Sequence, residues 1–123
     1  MIRYVELPQA VGILDALGLR IRDIGLLSSA LARPSSAMFG VEAYPEIEVK
    51  AAAVMSSLAQ NHPLYDGNER CCWILTLTFL ELNGIRIDMD TGTAFDLVLA
   101  TAQSKAHLHE IAEILAAHVE TRS

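Results

Sequence analysis

His62-Pro63-Leu64-Tyr65-Asp66-Gly67-Asn68-Glu69-Arg70 runs directly into the apolar stretch Cys71-Cys72-Trp73-Ile74-Leu75. A polar, turn-forming segment that opens onto an apolar run reads as a loop leading into the N-terminus of a buried helix. Such a helix start presents unpaired backbone N–H groups and the positive end of the helix dipole, which suit an anion. The helix it opens, from about Gly67 to Leu82, is apolar nearly all round, and a helix of that character belongs in the middle of a bundle.

Outward from this helix, strand signals are scarce. Leu7 to Leu17 carries apolar residues at helical spacing, with Pro8 at a first-turn position and Gly18 as the stop. Asp23 is placed to cap a second helix, Ile24 to Arg33, which Pro34 ends. Ser35 to Tyr44, with Gly40 inside it, reads as a loop or a small hairpin. Pro45 begins a third helix that runs to about Asn61, with Glu46 and Glu48 near its positive end. Asn83-Gly84 supplies a left-handed stop for the central helix, and Ile85 to Ile87 is a short extended link. Asp90 or Thr91 begins a fifth helix through Leu97 to Ala102. Ser104 or Lys105 begins a sixth, with Leu108, Ile111, Ile114 and Leu115 on one face. The expectation is an all-α fold: one domain over residues 1–123, a compact bundle of about six helices with a short flap before the third.

The chain is long enough for a single real core. Apolar residues make up 52% of its 123 positions and the mean hydropathy is +0.33, which leaves room for an apolar surface covered by a partner. A net charge of −6 and a pI of about 5.0 argue against general nucleic-acid binding, though not against one small basic pocket. Cys71 and Cys72 are adjacent, a spacing at which a disulfide is strained, so both are expected as free thiols in a reducing cytoplasm. No charged, apolar, small-residue leader opens the chain, which predicts a protein that is not secreted. The longest apolar stretch, Cys71 to Leu82, contains Thr76, Thr78 and Glu81 and is too short to span a membrane.

Within the loop, each residue has a chemical and a structural reading. His62 carries the side chain whose ordinary titration lies nearest neutrality, and it suits the removal of a proton from an attacking hydroxyl. Pro63 should push its backbone towards extended geometry. The alternative is an imidazole that caps the last carbonyls of the preceding helix. Asp66 offers oxygen ligands to Mg²⁺ or serves as the N-cap of the central helix. Gly67 and Asn68 permit the dihedrals of an anion nest, or of a simple turn. Arg70 falls in the first helical turn, where a cation opposes the helix dipole unless it meets a carboxylate or an external phosphate. An internal pair with Asp66 or Glu69 is the other resolution. Leu64 should point into the core and Tyr65 pack at the rim. A base, a metal-binding carboxylate and an anion cradle together suit phosphoryl or nucleotidyl transfer.

The nine-residue run resembles the signature of the Fic/Doc superfamily, His-x-Phe-x-Asp-Gly/Ala-Asn-x-Arg, and the length points to its death-on-curing (Doc) branch. The flanks agree: Gly25 to Pro34 resembles the second helix of that branch, Tyr44-Pro45 precedes an Ala-rich helix, and Phe79-Leu80-Glu81-Leu82-Asn83-Gly84 closes the fourth. The resemblance implies a small all-helical bundle. It implies that His62 is the general base, that Asp66 holds Mg²⁺ on the phosphates of ATP or another nucleotide, and that Arg70 neutralises phosphate charge. Gly67, Asn68 and Glu69 would offer backbone N–H groups to the phosphates, helped by the Asn68 side chain. Ser35 to Tyr44 would be the flap that docks the target by strand addition. It further implies a kinase-like toxin that modifies elongation factor Tu and is held off by a cognate small antitoxin.

Two positions depart from the pattern. Leu64 replaces the motif's aromatic and preserves an apolar anchor. Glu69 stands where the Doc branch has lysine and AMP-transferring relatives have glycine. A carboxylate within a few ångströms of a phosphate oxygen costs on the order of 1–4 kcal/mol. The sequence therefore carries two readings, a toxin-type transferase and a Doc-like binding module whose chemistry Glu69 has impaired. A metal hydrolase built on His107, His109 and Glu110 is disfavoured, because two histidines two apart on a helix face different ways. Trp73 is expected in core packing.

Overall fold

The computed structural model describes residues 1–123. Asp23 does what its position predicts: Leu26 N–H donates to its Oδ1 at 3.0 Å, opening α2 (Ile24–Ala32). Before it, α1 (Leu7–Ala16) carries its proline in the first turn, where the missing N–H costs nothing, and Gly18 leaves the helix at φ 72°. A 3-10 turn over Arg33–Ser35 follows α2.

The ambiguous stretch before the third helix is a hairpin, β1 (Ala37–Met38) paired antiparallel with β2 (Val41–Glu42). Its turn residues Phe39 and Gly40 both have positive φ, 52° and 78°, as a two-residue primed turn requires. The third helix, α3 (Ile47–Asn61), starts two residues after Pro45 with Glu46 as its N-cap. The sequence placed that start at the proline itself. The central helix is α4 (Asn68–Leu82), and Gly84 at φ 77° supplies its left-handed stop.

Beyond α4 come β3 (Ile85–Ile87), α5 (Thr91–Ala102), α6 (Leu108–Ala117) and β4 (Val119–Arg122). Asp90 caps α5, taking Thr93 N–H at 3.1 Å and Thr93 Oγ1–H at 2.6 Å. The sixth helix begins later than expected. Ser104 sits in the left-handed region at φ 58°, which stops continuation from α5. His107 N–H then donates to Glu110 Oε1 at 3.1 Å as the new helix opens. His107 and Glu110 are thus capping residues. The pairing of β4 with β3 was not anticipated at all.

The fold class is as expected: six helices with four short strands. Helix α3 is the hub, packing against α2, α4, α5 and α6. Nearly every residue from Val49 to Ala59 is buried, and the run of alanines lets neighbouring helices approach closely. The cost of burying threonines is removed locally: Thr76 donates to Cys72 O at 2.7 Å and Thr101 to Leu97 O at 2.8 Å. No helix is long and apolar enough to cross a membrane.

Candidate active site

The six-residue loop between α3 and α4, residues 62–67, is fixed at several points. His62 ends α3 in the left-handed conformation, φ 49° and ψ 64°, not in the extended geometry that the following proline suggested. Left-handed backbone terminates a helix while avoiding the right-handed region that proline disfavours. The carbonyls freed at that end are taken by Arg22, whose Nη2 donates to His62 O at 2.7 Å and Asn61 O at 3.4 Å, with Nε to His62 O at 3.2 Å. Because a guanidinium caps α3, the imidazole is not needed for it. The ring of His62 is exposed and makes no hydrogen bond within the protein.

Leu64 is the apolar anchor, 2% exposed, and its backbone bridges to Ile21. Arg22 and Asp23 N–H both donate to Pro63 O, at 2.8 and 3.0 Å, and Tyr65 N–H donates to Arg20 O at 3.1 Å. Tyr65 stands at the rim with the Arg20 guanidinium 5.3 Å above its ring. The side of the loop is therefore walled by residues 19–23, none of which the sequence singled out for the site. Glycine is favoured at position 67 by its backbone conformation and by the close approach of the flexible Leu19 side chain. It adopts φ 77°, and a Cβ would meet Leu19 Cδ2 at 2.7 Å.

The polar residues divide their labour differently from expectation. Gly67, not Asp66, is the N-cap of α4. Asp66 is exposed, and its Oδ1 accepts Gly67 N–H at 2.8 Å while Oδ2 accepts no hydrogen bond within the chain. The Asn68 side chain is turned back on the loop, with Oδ1 accepting Leu64 N–H at 2.9 Å and Nδ2 donating to Leu64 O at 3.0 Å. The Asn68 amide, which the resemblance offers to phosphate, here clasps the loop through Leu64. The first helical N–H bonded within the chain is that of Cys71, to Gly67 O at 2.9 Å. The backbone N–H groups of Asn68, Glu69 and Arg70 have no internal acceptor.

Arg70 is exposed and pairs with neither Asp66 nor Glu69; the chain's two ion pairs lie elsewhere, Lys50–Glu42 and Arg122–Glu48. The internal resolution of a cation at a helix N-terminus is thus absent. Three N–H groups without internal acceptors and a free guanidinium are a set of donors that suits an anion. For Mg²⁺, the fit is that of a hard cation taking one or two carboxylates and completing its shell elsewhere. Asp66 offers a free oxygen, while no group of three or more His, Cys, Asp or Glu residues converges.

Beside this end lies a cavity of about 370 Å³ walled by Gly67, Glu69, Arg70 and Trp73 of the α4 side and by Met89, Thr91, Ala94, Phe95 and Val98. Trp73 is half-buried, packed on the core and lining the cavity at once. The sequence assigned it to packing alone. The opposite wall was legible in principle, since Thr91, Ala94, Phe95 and Val98 follow i, i+3, i+4, i+7 on one face of α5. Glu69 lines the cavity without filling it. The cysteines behind the site are poorly placed to act as nucleophiles. Both are buried and free, and burial pushes the Cys71 thiol up to about 12 and the Cys72 thiol up further.

The model of the Fic/DOC family matches residues 6–80, so the likeness takes in α1 as well as the motif and its flanks. Toxin Doc of Mycolicibacterium smegmatis is 46% identical over 100 residues, covering 80% of this chain and 77% of that protein.

Proposed function

We propose, since this chain belongs to the Fic/DOC family, that it is a transferase toxin of a toxin–antitoxin module, moving a phosphoryl or nucleotidyl group from ATP or a related nucleotide to a hydroxyl of a target protein. The observation that carries this reading is Arg70 at the start of α4 with no carboxylate partner, beside three backbone N–H groups with no internal acceptor. That arrangement is costly to a helix unless an anion meets it. The cavity against α5 adds a largely apolar space of about 370 Å³, within the range of small-ligand pockets, next to the anion end.

The chain's own residues divide the work as follows. The exposed His62 imidazole, relieved of capping by Arg22, removes the proton of the incoming hydroxyl. The N–H groups of Asn68, Glu69 and Arg70 and the Arg70 guanidinium bind and orient phosphate oxygens and stabilise charge that develops there. Asn68, through Leu64, keeps the loop in the shape that aligns these groups. Asp66 would hold Mg²⁺, which when bound neutralises phosphate charge. The hairpin β1–β2 presents an edge to an extended target segment. Elongation factor Tu is the target that the Doc branch implies, and a small antitoxin the partner.

A second reading is favoured by one observation: Glu69 shares the cavity wall with Arg70, so its charge opposes the anion the site is built for. On that reading the domain is retained for antitoxin binding.

The test uses purified protein, Mg²⁺ and a bacterial translation extract with ATP labelled at the α- or the γ-phosphate. Label on protein from γ marks phosphoryl transfer, and from α nucleotidyl transfer. His62→Ala and Arg70→Ala should each abolish labelling while melting within about 2 °C of the parent, as expected for exposed side chains. No label from either position, with His62→Ala as growth-inhibiting as the parent, removes the transferase reading.

A further inference from the structure

The hairpin β1–β2 poses a physical problem. Strands of two residues are marginal on their own, and Met38, Phe39 and Val41 are all exposed, Phe39 at 97%. No apolar side chain of the hairpin is buried against the body, so hydrophobic packing does not hold it in place. What holds it are two cations reaching out from the bundle.

Lys50, on α3, is fully buried at 0% exposure. Its Nζ donates to Pro34 O at 3.1 Å and to Glu42 Oε1 at 2.9 Å, and lies 5.6 Å from the centre of the Tyr4 ring. Pro34 lies just before the hairpin and Glu42 on its second strand, so one ammonium ties both legs to the hub helix α3. Arg33 adds a second hold. Its Nε donates to Tyr44 Oη at 3.1 Å and its Nη1 to Ser57 Oγ at 3.0 Å, with the guanidinium 5.5 Å from the Tyr44 ring centre. A lysine is a poor choice for filling a core, since a buried ammonium is costly unless paired. Its placement at the hub helix has a directional purpose that an aliphatic residue would not serve.

We propose that the Lys50–Glu42 pair is a latch that sets the pose of the hairpin on the bundle, making Lys50 a positioning residue for the protein substrate. The proposal rests on the reading above in which the hairpin docks the target. With the latch intact the exposed strand edge is presented preset. Without it the hairpin must be ordered at each encounter, which weakens target binding and leaves the nucleotide end of the site alone.

The test compares the parent with Lys50→Met, Glu42→Ala, Glu42→Gln and the Lys50→Met/Glu42→Ala double variant. Two quantities are read in the intact protein: the rate of chymotrypsin cleavage after Phe39, and labelling from ATP as a function of extract protein concentration. The latch predicts cleavage at least tenfold faster in Lys50→Met and in Glu42→Ala, with no further gain in the double variant. Glu42→Gln, which keeps an acceptor oxygen, should recover part of the protection. The half-saturating extract concentration should rise at least fivefold in step, with the maximal rate and the affinity for ATP unchanged. Unchanged cleavage overturns the latch. Faster cleavage with unmoved half-saturation overturns the positioning role. Should Lys50→Met not fold, Glu42→Ala, altered at a half-exposed side chain, carries both readings. A parent that labels nothing refutes the transferase reading instead, and the latch then stands or falls on cleavage after Phe39.

Discussion

At the scale of single residues, Glu69 and Arg70 define the tension in this site. They are neighbours in the first turn of α4, they line the same cavity, and they do not pair with each other. The acidic residue favours the helix start and opposes a phosphate; the basic one does the reverse. Replacing Glu69 by lysine moves the local charge by two units. Two unit charges at roughly 6 Å in water-like dielectric interact by about 0.7 kcal/mol, so the exchange is worth about 1.4 kcal/mol, or tenfold in affinity. Glu69→Lys should therefore bind ATP about tenfold more tightly at low salt, with the gain shrinking as salt screens it. Calorimetric titration of both proteins in Mg²⁺ buffer checks this. Equal affinities would mean that the Glu69 carboxylate lies too far from the bound phosphates to matter. Toxicity that appears only in Glu69→Lys would establish the impaired-module reading.

At the scale of elements, helix ends do most of the site's construction. Arg22 closes α3 from 40 residues away in sequence, with three contacts to two carbonyls. Arg22→Met keeps the aliphatic stem and removes the donors, for a cost of about 1–2 kcal/mol and a melting temperature lower by about 3–8 °C. Labelling should fall more than tenfold because the residue released is His62, and Arg22→Lys should recover only part of it. A variant that melts lower yet labels at the parent's rate would show that the cap is structural only. Helix α5 gives a pH-dependent case. Hydrogen bonds from the Thr93 side chain and backbone hold the Asp90 carboxyl below its usual range. Its folded value lies under its unfolded one, so its contribution is present above the ordinary aspartate range and is lost as pH falls through the lowered value. In an NMR titration the Thr93 amide should shift with a midpoint below that of free aspartate, and Asp90→Asn should remove that transition. These ends also show what a sequence exposes. The Asp23 cap, the Gly84 stop and the apolar α4 were legible because their causes lie within four residues of their effects. The bracing of the loop by Arg20, Ile21 and Arg22 was not, since nothing local in those residues names a partner at 61–65. The Asn68–Leu64 clasp was hidden for a related reason. The motif position is polar and conformationally free, but its amide is consumed by Leu64, a partner visible only once the loop is closed.

At the scale of the whole molecule, α4 ties two ends that do different work. Its N-terminus is the proposed anion end, and its C-terminus feeds the β3–β4 ribbon. At 1.5 Å per residue, its 15 residues separate the two by roughly 22 Å. The ribbon is a closure: β4 pairs with β3, Ser123 N–H donates to Gly84 O at 2.8 Å, and Arg122 forms an ion pair with Glu48 on α3. It joins the end of α6 to the end of α4 and to the hub helix. Most of it is exposed, so water replaces many of the hydrogen bonds lost when it is removed, and only a net of about 0.5–1.5 kcal/mol per bond is at stake. Deleting residues 119–123 should therefore lower stability by roughly 2 kcal/mol and the melting temperature by about 5–10 °C. Ile85, 5% exposed, still holds β3 to the core. Because the anion end is a helix length away and braced independently by residues 19–23, the shortened protein should label target at the parent's rate at 20 °C, well below its melting point. Differential scanning calorimetry together with the labelling assay separates the two effects. A folded truncation that has lost labelling would mean that α4 transmits strain along its length, and that the ribbon belongs to the catalytic apparatus as well as to the fold.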